Sequence, residues 1–285
     1  YDLGDRKAPT TTYDMSGELQ AIELEFPEDA LPVTMASYLA PWPQRHFGMD
    51  VKSNAEDSWT YLGEIILNNV FTWQDVSLED LTRQAGVTDA RCLRLTLTDT
   101  DASLIELVFT DADGEILRPV NASAYETLFD ESDCYPERYS FRNSMYFDEI
   151  YHARTAYEFL HGLPTYENTH PPLGKILISV GIAIFGMNPF GWRIMGTLFG
   201  IAMLPFLYLL GKKMTGNTPA AALACFLFAF DFMHFTQTRI ATIDVYITFF
   251  VIAMYYFMYY YCSMSFYDTP LYKTCLLYTS PSPRD

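Results

Sequence analysis

The chain has 285 residues, a formal net charge of −17 and a mean hydropathy of +0.03, close to that of a soluble protein. That average hides two halves, because residues 1–147 hold 27 acidic and 10 basic side chains while the long apolar runs lie after residue 147. A polyanionic half repels phosphate, which argues against nucleic acid as a partner and predicts a domain in water rather than on anionic lipid.

Alternating apolar and polar residues dominate the first half, as in Ile22–Phe26, Leu93–Leu97 and Ile105–Phe109. Asp111–Gly114 has turn chemistry and precedes another short apolar pair. These signals predict an extracytoplasmic acidic β-sandwich over residues 1–140, built from antiparallel strands.

The segments 90–97 and 104–114 also resemble the end of discoidin-like, galactose-binding-like jelly rolls. Sugar binding and a spacer role both fit such a domain, because a fold does not fix a function.

The five cysteines include no CxxC pair and no His/Cys cluster, so we expect no structural zinc site. Cys92 and Cys134 both lie in the acidic half, where an oxidising compartment would allow a disulfide between them. Two free buried thiols fit the sequence equally well.

An outer loop with juxtamembrane helices is predicted over residues 146–190. Ile150–Leu160 reads as an amphipathic helix that ends at Gly162. The apolar segment Ile176–Phe185 is shorter than the roughly 20 residues that a spanning helix needs, so we expect it at the membrane interface.

Three longer apolar runs, 191–211, 218–237 and 244–262, predict three transmembrane helices within residues 191–265. The fold class is therefore α+β: a β-sandwich followed by part of a multi-spanning helical domain. Lys212-Lys213 places the turn after the first run in the cytoplasm by the positive-inside rule.

This topology gathers the titratable groups of the apolar half on the outer membrane face. Asp148, Glu149 and His170 precede the first span, Arg193 lies at its outer end, and the turn 239–244 lies between the second and third spans. Isolated charges that snorkel to the interface would not need to converge in this way.

The two ends of the sequence need separate interpretation. We interpret the start at Tyr1 as a cut edge, and residues 275–285 as an artefact, because they match an in-frame translation of a common sequencing adapter.

Residue chemistry leaves two interpretations open for each candidate. The adjacent acids Asp148 and Glu149 suit a helix N-terminus, or a general base that takes a proton from a hydroxyl. His170, before two prolines, is a surface side chain, or it hydrogen-bonds a phosphate or orients an acid. Lys175 snorkels or binds lipid phosphate. The planar guanidinium of Arg193, with its forked N–H donors, suits a phosphate oxyanion.

The remaining candidates lie in the turn 239–244. Arg239 and Asp244 form a salt bridge there or belong to the site. The three carboxylates Asp148, Glu149 and Asp244 can also hold a divalent ion, although no spacing demands one, and the sequence indicates no other cofactor.

Four motifs together resemble the protein O-mannosyltransferase family, within the GT-C class of phospholipid-carrier-dependent membrane glycosyltransferases. They are Phe147-Asp-Glu149, His170-Pro-Pro-Leu-Gly-Lys175, Gly191-Trp-Arg193 and Arg239-Ile-Ala-Thr-Ile-Asp244. The resemblance covers about 146–265, nearly half of the chain.

The resemblance implies a catalytic carboxylate at Asp148 or Glu149 and a donor phosphate held by Arg193, with His170 or Arg239 assisting. Asp244 falls where some GT-C relatives have a second acid. The implied donor is a polyprenyl-phosphate sugar, mannose or another hexose, and the implied acceptor is Ser or Thr of an exported protein. The enzyme would be a multi-pass plasma-membrane protein whose site faces outwards.

Two features depart from the family. Its members often have Asp two residues before the His of the His-Pro-Pro motif, where this chain has Asn168, next to Glu167. A large acidic domain also precedes the acid pair, so we expect a first helix upstream and the sandwich inserted outside.

The sequence leaves two other functions open: a GT-C transferase that modifies a lipid or cell-wall glycan, and a non-catalytic membrane-anchored sugar-binding protein. A fragment of this kind is expected to be inactive alone.

Overall fold

The computed structural model describes residues 2–16, 20–28, 31–41, 45–53, 57–87 and 90–263. The interpretation of residues 275–285 therefore concerns residues outside the described ranges. The chain divides into two compact units, the first formed from Tyr1–Met195 with Arg239–Thr242 and the second from Gly196–Thr238 with Ile243–Asp285.

The described strands of the first unit form two antiparallel sheets. One sheet has the order β1-β8-β3-β6, with β9 beside β8, and the other has the order β2-β7-β4-β5. The strands in chain order are β1 Tyr13–Ser16, β2 Ala21–Glu25, β3 Thr34–Leu39, β4 Arg45–Lys52, β5 Thr60–Leu67, β6 Trp73–Ser77, β7 Cys92–Leu97, β8 Asp101–Thr110 and β9 Ile116–Leu117.

The predicted alternation determines which side chains face the core. Ile22 and Leu24 of β2 pair with Leu95 and Leu93 of β7, and all four are buried, whereas Glu23 between them is exposed. Both sheets contribute to one apolar cluster, so burial of the alternate residues holds them together.

The turn after β8 has the predicted chemistry. The Asp111 carboxylate accepts hydrogen bonds from the backbone N–H groups of Asp113 and Glu115, and Gly114 has a φ of 84°. This turn brings β9 back antiparallel to β8.

Cys92 and Cys134 do not form a disulfide; both are free thiols. Cys92 is buried in β7, while Cys134 lies in a short 3₁₀ turn, Ser132–Cys134. Of the two alternatives that the sequence left open, the structure therefore shows the free thiols.

The first unit also contains three α-helices that lie wholly within it: α1 Leu78–Ala85, α2 Glu149–His161 and α3 Pro172–Phe185. The predicted stop of α2 is confirmed, because Gly162 follows it with a left-handed φ of 64°. The α3 helix has 14 residues, so the prediction of an apolar helix too short to span a bilayer is also confirmed.

Four helices follow in chain order: α4 Pro189–Thr215, α5 Thr218–Ala229, α6 Phe232–Gln237 and α7 Asp244–Ser263. Among the described helices, α4 and α7 are long and apolar enough to cross a membrane. The middle predicted span is divided, because Asp231 accepts a hydrogen bond from the His234 N–H and caps a new helix. The sequence prediction of one unbroken run over 218–237 overlooked this cap.

Candidate active site

A buried ion pair joins the start of α2 to the first turns of α4. Arg193 donates from Nε to Glu149 Oε1 at 2.7 Å and from Nη2 to Oε2 at 2.6 Å, and both residues are 0% exposed. This bidentate arrangement is the strongest interaction that a guanidinium and a carboxylate form. In the chain, α2 begins at Glu149 and Arg193 lies one turn into α4, so the pair is a contact between residues distant in sequence.

Every polar position of this pair has a protein partner. The other three N–H groups of Arg193 donate to the carbonyl oxygens of Leu3, Phe141 and Ser144, at distances of 2.6 to 3.0 Å. Since a guanidinium has five N–H donors, Arg193 is saturated.

The Glu149 carboxylate is saturated in the same way. It accepts from the backbone N–H groups of Tyr146 and Ala241, both at 2.8 Å, in addition to the two bonds from Arg193. A carboxylate has about four acceptor positions, so neither partner has an open position for a ligand. The pair holds several chain segments together.

Asp148 has a different environment from its neighbour. It is half-buried, it precedes α2, and its carboxylate has no hydrogen-bond partner among the residues that the structure describes. Phe147, directly before it, has a φ of 52° and is 73% exposed. A left-handed conformation at a non-glycine residue is strained, and such strain concentrates at functional sites.

A cluster around His170 lies beside the start of α3. The Glu167 carboxylate accepts from the His170 N–H at 3.2 Å and also contacts the His170 Nδ1 atom, and it forms an ion pair with Lys175. Burial opposes ionisation of Glu167, but the bonds from Lys175, Thr169 and His170 outweigh it and lower its pKa. His170 itself remains half exposed, at 52% of its side chain.

Lys175 is only 1% exposed, and its ammonium also donates to the Glu167 carbonyl oxygen at 2.8 Å. It neither snorkels nor lies open to a lipid phosphate in this structure, so both interpretations of Lys175 offered by the sequence were wrong. Glu167, next to Asn168, is the carboxylate that contacts His170. The sequence signal was the spacing of three residues between Glu167 and His170.

His152 connects Asp148 with this cluster, and sequence reasoning missed it. Its N–H donates to the Asp148 carbonyl oxygen at 3.1 Å, and its ring lies edge-on to His170 with centroids 5.6 Å apart. Burial lowers the pKa of His152, so the imidazole is held neutral. The available signal was its position one helical turn after Asp148.

The last two candidates, Arg239 and Asp244, belong to different units. Arg239 belongs to the first unit, where it donates to the Asp2 carbonyl oxygen at 3.0 Å and lies 4.9 Å from the Phe141 ring centroid. Asp244 begins α7 in the second unit and is exposed. Within the described ranges, no group of three or more His, Cys, Asp or Glu side chains could hold a metal ion.

The helical part of the chain matches a known family. Residues 169–266 fit the family model described as dolichyl-phosphate-mannose-protein mannosyltransferase. Curated proteins named polyprenol-phosphate-mannose–protein mannosyltransferase are 36% identical over 113 residues in Mycobacterium tuberculosis and 32% identical over 113 residues in Mycolicibacterium smegmatis. Each alignment covers 38% of this chain and 22% of the relative, so the chain spans about a fifth of their length.

The comparison with solved structures gives weaker matches. A CBM32 domain of AlyQ in complex with 4,5-unsaturated mannuronic acid is 18% identical, covers 35% of this chain and 78% of that domain, and has a TM-score of 0.27. A latent aurone synthase is 12% identical, covers 38% of this chain and 25% of that protein, and has a TM-score of 0.22. Scores this low support no conclusion about fold or ligand.

The family match and the order of the Asp-Glu, His-Pro-Pro and Trp-Arg motifs lead to the same assignment. Residues 169–266 of this chain are similar to the dolichyl-phosphate-mannose-protein mannosyltransferase family.

Proposed function

We propose that the complete protein transfers a mannosyl or other hexosyl group from a polyprenyl phosphate to Ser or Thr hydroxyls of exported proteins, with Asp148 as the general base. The observation that carries this proposal is the contrast within the acid pair. Glu149 has four donors and 0% exposure, whereas Asp148 is half-buried and its carboxylate has no partner in the described ranges.

In the proposed reaction, the Asp148 carboxylate takes the proton of the acceptor hydroxyl as its oxygen attacks the anomeric carbon. The bond from that carbon to the phosphate oxygen breaks, and the electron pair leaves with the polyprenyl phosphate. One displacement inverts the anomeric centre. A positioned base of this kind contributes about 10²- to 10⁴-fold in rate.

The leaving phosphate needs positive or hydrogen-bonding groups that are open to it. Among the predicted donors, His170 is half exposed and Arg239 is half-buried, which supports both for this role. Arg193 has all five N–H groups committed to protein acceptors, so we assign it the positioning of Glu149. Direct contact between Arg193 and phosphate stays an untested prediction.

The proposed setting is a multi-spanning GT-C domain in the plasma membrane, with Asp148 on the extracytoplasmic face. Two long apolar helices, α4 and α7, support a membrane location, and Lys212-Lys213 supports a cytoplasmic turn after α4. In this arrangement the discoidin-like pair of sheets lies in the water outside, as its charge of −17 favours.

Transfer of labelled sugar tests the proposal. Membranes that contain the complete protein are given polyprenyl-phosphate-[labelled mannose] and a Ser/Thr-rich peptide. We expect label on the peptide with the wild type and a loss of at least about 100-fold with Asp148→Asn. Label on lipid or polymer instead would favour another GT-C transferase, and no transfer to any acceptor would favour a sugar-binding protein.

A further inference from the structure

We propose that the acceptor polypeptide binds in a polar cleft between the β5–β6 loop and α2, so that the acidic sheet domain takes part in acceptor recognition. This inference rests on the proposed function, because it names where the acceptor of that reaction binds. The cleft has a volume of about 420 Å³, within the range of ligand sites. It is lined by Asn68, Asn69, Val70, Ile150, Tyr151, Arg154 and Tyr166.

The loop that forms one wall is fixed by its backbone. Gln74 Oε1 accepts from the N–H groups of Asn68 and Asn69 at 2.9 and 3.2 Å, and Gln74 Nε2 donates to the Ile66 carbonyl oxygen at 2.8 Å. Within the described ranges, the side-chain amides of Asn68 and Asn69 have no hydrogen-bond partner. A rigid loop thus presents two amides to the cleft.

The opposite wall is aromatic. The rings of Tyr151 and Tyr166 are nearly parallel, at an interplanar angle of 5° with centroids 6.2 Å apart, and they are 42% and 55% exposed. The Arg154 guanidinium lies 4.0 Å from the centroid of the Tyr166 ring. Tyrosine rings of this kind give a large contact area at a low cost in conformational entropy.

The chemistry of the cleft selects a neutral ligand with amide and hydroxyl groups. Arg154 donates to Glu158 at 2.8 Å, so its charge is compensated and does not select a phosphate. An asparagine amide offers both a donor and an acceptor, which match the alternating C=O and N–H groups of an extended main chain. A Ser/Thr-rich polypeptide has this composition.

The cleft also lies near the proposed base, Asp148, because both are at the start of α2. Tyr151 lies three residues after Asp148, and its N–H donates to the Asp148 carbonyl oxygen at 3.1 Å. Residues three apart are neighbours on a helix surface, about 5–6 Å between Cβ atoms. A peptide held against Tyr151 can therefore bring a hydroxyl to the Asp148 carboxylate.

Steady-state kinetics on the complete protein in membranes test this site. The double variant Asn68→Ala/Asn69→Ala removes only the two amides, because Gln74 binds backbone groups that remain, and Tyr151→Ala removes one ring. We expect each to raise KM for a Ser/Thr-rich peptide about tenfold and to leave KM for polyprenyl-phosphate mannose unchanged. The matched control is Tyr61→Ala, a 60% exposed tyrosine on β5 that does not line the cleft.

An unchanged peptide KM in both cleft variants, with wild-type transfer intact, would overturn the inference and leave the proposed function standing. A wild type that transfers no sugar would instead overturn the proposed function. In that case, peptide binding to the cleft is tested separately by replacing Asn69 with a photo-crosslinking phenylalanine derivative. Crosslinks to the Ser/Thr-rich peptide would support the cleft as a peptide site, and their absence would contradict it.

Discussion

Two glutamates in the first unit are buried away from water, where an unpaired charge is costly, and they avoid that cost in different ways. Glu149, at the start of α2, and Glu106, in β8, are both 0% exposed. Glu149 is paired with Arg193 and accepts four hydrogen bonds. Glu106 accepts one bond, from the Glu131 N–H at 3.3 Å, and its Oε1 atom has no partner in the described ranges.

This difference in partners determines how each region accommodates its buried carboxyl group. Burial raises the pKa of Glu106 to about 8, against the opposing bond from Glu131, so this carboxyl stays protonated near neutral pH. The carboxyl buried in β8 is thus neutral. The start of α2 keeps a charged pair inside, and that pair leaves Asp148 as the acid open to a substrate.

Removing Arg193 should have the largest effect on stability. Arg193→Ala leaves the Glu149 carboxylate buried without its cation and three carbonyl groups without donors, so we expect a loss of about 3–5 kcal/mol. Thermal unfolding of the complete protein in detergent measures this. The matched control is Arg142→Ala: Arg142 is 61% exposed, and its surface ion pairs should contribute at most about 1 kcal/mol. Equal losses in the two variants would contradict the comparison.

A steric change in α3 should have an intermediate effect by disturbing the position of Arg193. A Cβ atom added at Gly181 would lie 2.4 Å from the Gly191 carbonyl oxygen, two residues before Arg193. We expect Gly181→Ala to cost about 1–3 kcal/mol in the same unfolding assay. Gly211→Ala is the control, because its nearest contacts are at an ordinary 3.5 Å. A Gly181→Ala protein as stable as the control would contradict this account of the α3–α4 contact.

The effect expected to be smallest over a single pH unit is on the pH dependence of stability. Below pH 4.5, Glu106 is protonated in both states; between pH 4.5 and about 8 the folded protein keeps a proton that the unfolded chain has lost. Stability contributed by this group therefore falls as pH rises through that window, by up to about 1.4 kcal/mol per pH unit. Glu106→Gln should remove this slope, as measured by denaturant unfolding at several pH values.

The control for that series is Glu115→Gln, which makes the same chemical change at an exposed position in the turn after β8. It should leave the wild-type pH dependence unchanged. If Glu106→Gln also leaves it unchanged, Glu106 ionises freely and the contrast with Glu149 disappears.

Much of the fold followed from local patterns in the sequence. The period-two alternation predicted β2 and β7, Gly162 predicted the end of α2, and the length of Ile176–Phe185 predicted a short α3. A strand also forms at β8, but it is buried on both faces, so its alternation was not confirmed. The division after α5 was not predicted, because a single capping residue, Asp231, interrupts an otherwise continuous apolar run. Strand order could not be read at all, since pairing between distant segments leaves no local pattern.

The site was predicted less completely than the fold. Its motifs located Asp148, Glu149, His170 and Arg193, but not which acid would be bound by Arg193. That depends on contacts with residues far away in sequence. Arg193 donates to the Leu3 carbonyl oxygen, and the Ala241 N–H donates to Glu149. The ion pair between Glu167 and Lys175 was not predicted for the same reason, because it forms only when the loop before α3 is folded.

The most direct test of the central claim compares Asp148→Asn with Glu149→Gln in the complete protein, measuring both transfer of labelled mannose and thermal stability. The account predicts that Asp148→Asn keeps the wild-type unfolding temperature and loses about 10²- to 10⁴-fold in transfer. It predicts that Glu149→Gln loses stability and that transfer falls only with the amount of folded protein. A stable Glu149→Gln protein without activity, beside an active Asp148→Asn protein, would contradict the assignment of the base.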